Sequence, residues 1–306
     1  MDLSVDVAGI RLEHPVINGS GTFDAIAAQR AFGDAIGERF PFSAFVSKTI
    51  TPEPRVGNPP PRLYETPAGL INSIGLPNRG LEGFLLEDLP QLGRLGVPLI
   101  VSVMAPSREG FSGLVERVGA RDEVAALALN VSCPNVESGL IVGQQPAETL
   151  GLLEAVRPLT EKPLVVKLTP NVADVAGIAG AAQDGGADAV SLINTLSATA
   201  PDPATLEPWL GAGRGGLSGP AVRAYALRQV GEVAATVSIP VLGMGGIETG
   251  ADALAFLAAG ADAIAVGTAS FRDPLAAERI RHELAAELSE RGLEAPPRRS
   301  LASTST

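Results

Sequence analysis

Short apolar runs rich in Val and Ile recur along the chain at 15–19, 43–47, 99–103, 125–130, 163–168, 188–193, 239–244 and 262–267. Each is followed by a Gly- or polar-rich turn. Between most of them lie Ala/Leu/Glu/Arg stretches with helical spacing, such as 172–184, 220–236 and 250–259. Near-continuous apolar strands are buried on both faces, the pattern of parallel strands covered by helices. Eight such units predict a (β/α)8 TIM barrel rather than an open doubly wound sheet. An internal echo agrees: GGADAVSLINT (185–195) and AGADAIAVGTA (259–269) share a helix end, a turn and a strand entry.

Composition narrows the function classes. Hydrophobic residues make up 45% and aromatics only 4%, so the core is filled mainly by Ala, Val, Leu and Ile, as β/α layers require. A net charge of −11 lacks the basic stripe of a general nucleic-acid binder. The single cysteine cannot form an internal disulfide and gives no sign of an oxidising compartment. The start, MDLSVDV, has neither a basic nor an apolar signal region, and no apolar run approaches about 18 residues. The expectation is a cytoplasmic protein with no membrane and no nucleic-acid partner. One domain is expected over 1–294, with 295–306 a flexible C-terminal tail. Two stretches exceed ordinary βα spacing: 50–90, rich in Pro and Gly, and 196–219. Long connections in a compact fold are usually lids or binding loops.

Barrel active sites form at the C-terminal ends of the strands. Those positions hold Ser20, Lys48, Ser102, Asn130 with Cys133, Lys167, Asn194 with Thr195, Gly245 with Gly246, and Gly267 with Thr268. The chain has three lysines, Lys48, Lys162 and Lys167, and two of them end strands. That placement suits charge partners for an anionic ligand, against the alternative of structural ion pairs. GMGGI after the seventh strand and VGT after the eighth lie where barrels build phosphate sites from backbone N–H groups. GAGRGG (211–216) matches a dinucleotide pattern, but it follows a Pro/Trp-bearing loop rather than a strand and opens no helix. His14 precedes the first strand and His282 lies on the last helix, so neither ends a strand, and no His/Cys metal cluster is present. Cys133, between Ser132 and Pro134 with Asn130 and Asn135 nearby, is the conspicuous candidate for a base. Its alternative is an inert buried thiol.

Several motifs together resemble the class 1 dihydroorotate dehydrogenases. They are VSKTIT (46–51), ETPAGLINSIGLPN (65–78), NVSCPNVESG (130–139), VVKLTPNV (165–172), INTL (193–196), GGLSGPA (215–221), PVLGMGGI (240–247) and AVGTASF (265–271). They occur in order from about Val16 to Pro274. The resemblance implies an FMN-binding barrel that oxidises (S)-dihydroorotate to orotate in pyrimidine (UMP) biosynthesis, with Cys133 as the catalytic base. Residues implied to contact FMN are Ser20, Lys48, Thr49, Ser102, Asn130, Lys167, Ile193, Gly219, Gly245, Gly246, Gly267 and Thr268. Those implied to contact substrate are Lys48, Asn72, Ser73, Ile74, Gly75, Leu76, Asn130, Asn194 and Thr195. The residue types suit the chemistry. A thiol of ordinary pKa about 8.5 becomes a base near neutrality after a modest depression, and Lys48 can pair with a carboxylate. The three amides can donate and accept at once.

INTL, GGLSGPA and GMGGI look most like the NAD-linked 1B catalytic subunit. The resemblance then implies a partner subunit carrying FAD and a [2Fe–2S] cluster, in a homodimer or a heterotetramer of two catalytic and two electron-transfer subunits. A plant-type cluster needs four cysteine ligands, and this chain has one. Departures are Thr49 where glycine is frequent, Ser102 where asparagine is frequent, and the wording of SATAPDPATLEPW. The alternatives are a fumarate-linked 1A-type enzyme, a dihydropyrimidine dehydrogenase-like flavin reductase, and a non-catalytic ligand-binding barrel.

Overall fold

The computed structural model describes residues 1–33, 40–131 and 142–297. An antiparallel hairpin of β1 (Val5–Val7) and β2 (Ile10–Leu12) opens the chain. The barrel strands follow: β3 (Val16–Asn18), β4 (Phe45–Val46), β7 (Leu99–Val103), β8 (Ala126–Asn130), β9 (Leu164–Lys167), β10 (Ala189–Leu192), β13 (Val241–Met244) and β14 (Ala263–Val266). Each lies inside an apolar run recognised from the sequence. Neighbours are parallel, in the order β3-β14-β13-β10-β9-β8-β7-β4. The ring closes between β3 and β4, where the Ser43 N–H donates to Val16 O at 3.1 Å. The Asn18 side chain completes the seam by bonding both backbone groups of Val46.

The longer helices around the ring, among the described residues, are α1 (Ala25–Phe32), α2 (Arg108–Gly119), α3 (Pro146–Val156), α4 (Val175–Asp184), α5 (Arg223–Thr236), α6 (Gly250–Ala258) and α7 (Ala276–Glu290). Side chains mark several starts. Ser107 and Asp174 each accept a first-turn N–H, at 3.1 and 2.7 Å, and Thr249 with Asp252 forms a reciprocal capping box. Leu127, Leu129, Leu164 and Val166 meet Leu152, Leu153, Ile178 and Val230 in a continuous outer core between strands and helices. The lumen has a core of its own, with small residues where the ring is tight: Ala44, Ala126, Ala128, Ala189, Ala263 and Ala265, beside Ile17, Ile100, Val165 and Leu242. Val5, Val7 and Leu12 of the hairpin pack into that same cluster and plug the barrel's N-terminal end. The opposite end is left for a ligand.

The two long connections build one structure. β5 (Leu63–Thr66), β6 (Gly69–Asn72), β11 (Leu196–Ala198) and β12 (Gly215–Ser218) form an antiparallel sheet in the order β11-β12-β6-β5. Gly216 pairs with Asn72 and Leu217 with Ile71. Ile71, Ala200 and Leu210 give this lid a small core with Tyr64 and Leu217 packed on it. Trp209 donates its indole N–H to Leu63 O at 3.1 Å and meets Tyr64 edge-on. At the other end of the chain, Pro296 is buried, two residues past the expected end of the domain.

Candidate active site

A cavity of about 400 Å³ opens at the C-terminal ends of the barrel strands, under the lid sheet. That size lies within the range of small-molecule sites, about 300–1,000 Å³. From the flavin set it is lined by Ser20, Lys48, Thr49, Asn130, Lys167, Ile193, Gly219, Gly245, Gly246, Gly267 and Thr268. From the substrate set it is lined by Lys48, Asn72, Ile74, Leu76, Asn130, Asn194 and Thr195. Ser73, Gly75 and Ser102 do not line it. The Ser73 hydroxyl is buried and accepts from Asn58 Nδ2 at 2.8 Å, and Gly75 O accepts from Arg55 Nε at 3.3 Å. Both therefore brace the backbone that carries Ile74 and Leu76. Ser102 is buried one layer down, its hydroxyl 2.8 Å from Thr49 Oγ1. Cys133 lies outside the described residues.

Thr49 is the centre of a hydroxyl network. Its Oγ1 accepts from Asn130 Nδ2 at 3.2 Å and stands 3.4 Å from Ser20 Oγ, which itself donates to Ser47 O at 2.8 Å. Two of the departures from the family pattern, Thr49 and Ser102, are thus bonded to each other. Both lysines feel the walls. Lys48 opens onto the cavity, and loss of surrounding water holds its ammonium below the usual lysine value. Asp24 opposes that depression, and Arg62 adds to it. Lys167 is brought down to about 8 by burial alone. Two lysines that shed water at one cavity are poised for an anionic ligand, which would restore the lost stabilisation.

The far wall is made of backbone. Gly219 and Gly246 have φ of +91° and +80°, and a Cβ on Gly246 would sit 2.7 Å from Gly219 O. Only glycine lets the end of β12 approach the β13 loop this closely. Beside them Thr268 donates its hydroxyl to Ser218 Oγ at 2.9 Å, tying the lid to the start of the short helix Ala269–Arg272. The substrate-side amides are already oriented. Asn72 Nδ2 donates to Gly216 O at 3.2 Å, and Asn194 Oδ1 accepts from the Thr195 N–H at 2.8 Å.

Sequence profiles agree with this geometry: that of the family described as Dihydroorotate dehydrogenase matches residues 2–288. The chain belongs to the dihydroorotate dehydrogenase family. Its relatives include a protein of Geotalea uraniireducens, 45% identical over 293 residues, covering 95% of each chain. One from Desulforudis audaxviator is 46% identical over 291 residues, covering 95% of this chain and 94% of the relative. One from Geobacter sulfurreducens is 44% identical over 296 residues, again covering 95% of each. All three are named dihydroorotate dehydrogenase B (NAD(+)), catalytic subunit.

The family motifs did not single out several wall residues: Gly21, Thr22, Leu63, Leu70, Leu217, Ser218, Glu248 and Phe271. Ser218 sits inside the GGLSGPA motif and could have been found there. Leu70 and Leu217 also lie inside family motifs, whereas Leu63 reaches the cavity only because β5 pairs with β6, which no local pattern announces. Among the described residues, no helix is long and apolar enough to cross a membrane.

Proposed function

We propose that this chain is the FMN-binding catalytic subunit of an NAD-linked dihydroorotate dehydrogenase, a single barrel domain that oxidises (S)-dihydroorotate to orotate. The observation that carries the reading is the convergence of Lys48, Lys167, Asn72, Asn130 and Asn194 on one glycine-walled cavity. This donor set fits both ligands. A glycine wall suits the phosphate of a cofactor, Lys167 suits its redox-active end, and Lys48 with three amides suits a ring bearing a carboxylate and two amide groups.

Lys48 would pair with the substrate carboxylate, and Asn72, Asn130 and Asn194 would fix the ring by matching its carbonyls and N–H groups. Cys133, by its place in the motif, takes the proton from the carbon beside the carboxylate-bearing one. FMN, when bound, supplies the acceptor for the hydride. Lys167 would offset negative charge that develops there, an electrostatic contribution. Gly219, Gly246, Gly267 and Thr268 would hold the phosphate end. A single cysteine cannot ligate an iron–sulfur cluster, so onward transfer to NAD belongs to a partner subunit that carries FAD and [2Fe–2S].

The experiment is steady-state turnover with candidate substrates. The FMN-loaded chain, with an artificial acceptor, turns over dihydroorotate and not dihydrouracil. Equal use of both would overturn the carboxylate role given to Lys48. Adding NAD without the partner gives no turnover, whereas adding fumarate separates this reading from a fumarate-linked enzyme.

A further inference from the structure

Beyond β9 the chain carries an amide that does not line the cavity yet is bonded on both sides. Asn171 lies in the loop that follows Lys167. Its Nδ2 donates to Thr195 O at 3.0 Å and to Thr169 Oγ1 at 3.1 Å, and its Oδ1 accepts from the Ser197 N–H at 2.8 Å. Thr195 and Ser197 flank Leu196, the first residue of β11. A carbonyl at one residue and an N–H two residues on is the pair a parallel neighbouring strand would engage. The single amide of Asn171 therefore takes the place of a strand at the edge of the lid.

Its base is held firmly. Pro170 is buried, and its carbonyl accepts from Tyr225 Oη at 3.2 Å and from Gln229 Nε2 at 3.4 Å, both on α5. Gln229 is itself buried and also donates to Tyr225 Oη at 3.1 Å. The Asn194 N–H donates to Leu168 O at 3.2 Å, a second tie between the same two loops. On the lid side, β11 pairs with β12 and β12 with β6, so Leu196 opposes Leu217 and Gly216 opposes Asn72. A continuous chain of bonds thus runs from α5 through Pro170 and Asn171 to the segment bearing Asn194 and Thr195, and on to Asn72.

We infer that Asn171 is a positioning residue for ligand recognition: it pins the Thr195–Ser197 backbone so that the cavity's amides are ordered before the ligand arrives. This rests on the reading that the cavity takes dihydroorotate. Asn171 is exposed, so its bonds add little to folding, and its effect falls on binding. Without it the ligand must order the segment itself and binds more weakly.

The test compares wild type, Asn171→Ala and Asn171→Asp as FMN-loaded proteins. Orotate affinity is read from the perturbation of the flavin spectrum, and dihydroorotate KM and kcat are measured beside it. Asn171→Ala raises the orotate Kd and the dihydroorotate KM about tenfold, with kcat at saturation, FMN content and Tm near wild type. Asn171→Asp keeps the acceptor for the Ser197 N–H but loses the donor to Thr195 O, and falls between the two. Unchanged Kd and KM in Asn171→Ala overturn the inference. So does a fall in kcat that tracks a lost Tm, which marks a purely structural role. A wild-type protein that neither binds orotate nor turns over dihydroorotate overturns the functional reading and this inference with it.

Discussion

The side chain of Asn18 stands in for a stretch of β-ladder against Val46, its Oδ1 accepting the Val46 N–H at 2.7 Å and its Nδ2 donating to Val46 O at 2.8 Å. β3 and β4 are the two ends of the eight-stranded sheet, so this amide, together with the Ser43 N–H bond to Val16 O, closes the ring. Asn18 is fully buried. Asn18→Ala strands a backbone donor and acceptor at the seam, each costing about 1–3 kcal/mol when left unmade. Chemical denaturation of the variant is expected to show a loss of about 2–6 kcal/mol, and a loss below about 1 kcal/mol would mean the seam is held by packing instead.

A second prediction concerns Lys167. Its folded value of about 8 lies below the ordinary lysine value, so the folded protein resists the charged form and the unfolded chain does not. The resulting destabilisation is fully present below about pH 8 and is relieved as pH rises from there towards 10.5. FMN-free Lys167→Met should therefore be more stable than wild type at pH 7 by about 1–3 kcal/mol, with the gap closing by about pH 10. Urea midpoints at the two pH values measure it. A gap that is constant with pH would rule out the ionisation as its cause.

His14 gives the acid side of the same logic. Buried under the barrel, its imidazole is lowered to about 4, first by loss of water and then by Arg281. Its Nδ1 accepts the Val16 N–H at 3.3 Å. A depressed histidine contributes stability present above its unfolded value, lost as pH falls from about 6.5 to about 4. That loss amounts to about 2 kcal/mol by pH 5. Replacing it by Asn, which offers an acceptor without a titrating proton, should flatten Tm between pH 4 and 6.5. An unchanged acid slope would place the sensitivity elsewhere.

Gly216 and Thr195 make a contact that leaves no room for a side chain. A Cβ at 216 would lie 1.9 Å from Thr195 Oγ1, so Gly216→Ala must push Thr195 out of the cavity wall or part β11 from β12. Dihydroorotate KM is expected to rise by about tenfold or more while FMN remains bound, since one misplaced contact can cost that much. Fluorescence of released flavin and substrate titration together check it. Loss of flavin with unchanged KM would mean the strain travels to the glycine wall.

The barrel was legible because its strands are apolar on both faces: LIVSV and ALALN show no alternation, the second ending on Asn130 and the first one residue past Ser102. Lys48 and Lys167 could be placed at the mouth by the same reading. The lid could not, because β6 and β12 meet across 144 residues of sequence and their wording, GLIN and GGLS, is too short and glycine-rich to declare a strand. Asn18 was hidden for another reason, since a side chain that replaces backbone pairing leaves no periodic trace. The hairpin that plugs the lumen is three residues a side, below what alternation can mark. Ser73 and Gly75 carried the motif, and Ser102 held a strand-end position, but all three stand one step behind the wall, a distinction that position in the sequence alone does not draw.

In the proposed reaction this cavity oxidises dihydroorotate with Cys133 as the base. The most direct measurement is anaerobic stopped-flow mixing of (S)-dihydroorotate with the FMN-loaded wild type and with Cys133→Ala, following visible flavin absorbance. Wild type should bleach rapidly, with one orotate formed per flavin. The variant should bleach about 10²–10⁴-fold more slowly, the usual worth of a positioned base, with FMN still bound. Bleaching of Cys133→Ala at the wild-type rate, or no bleaching of wild type at all, would contradict the proposed reaction.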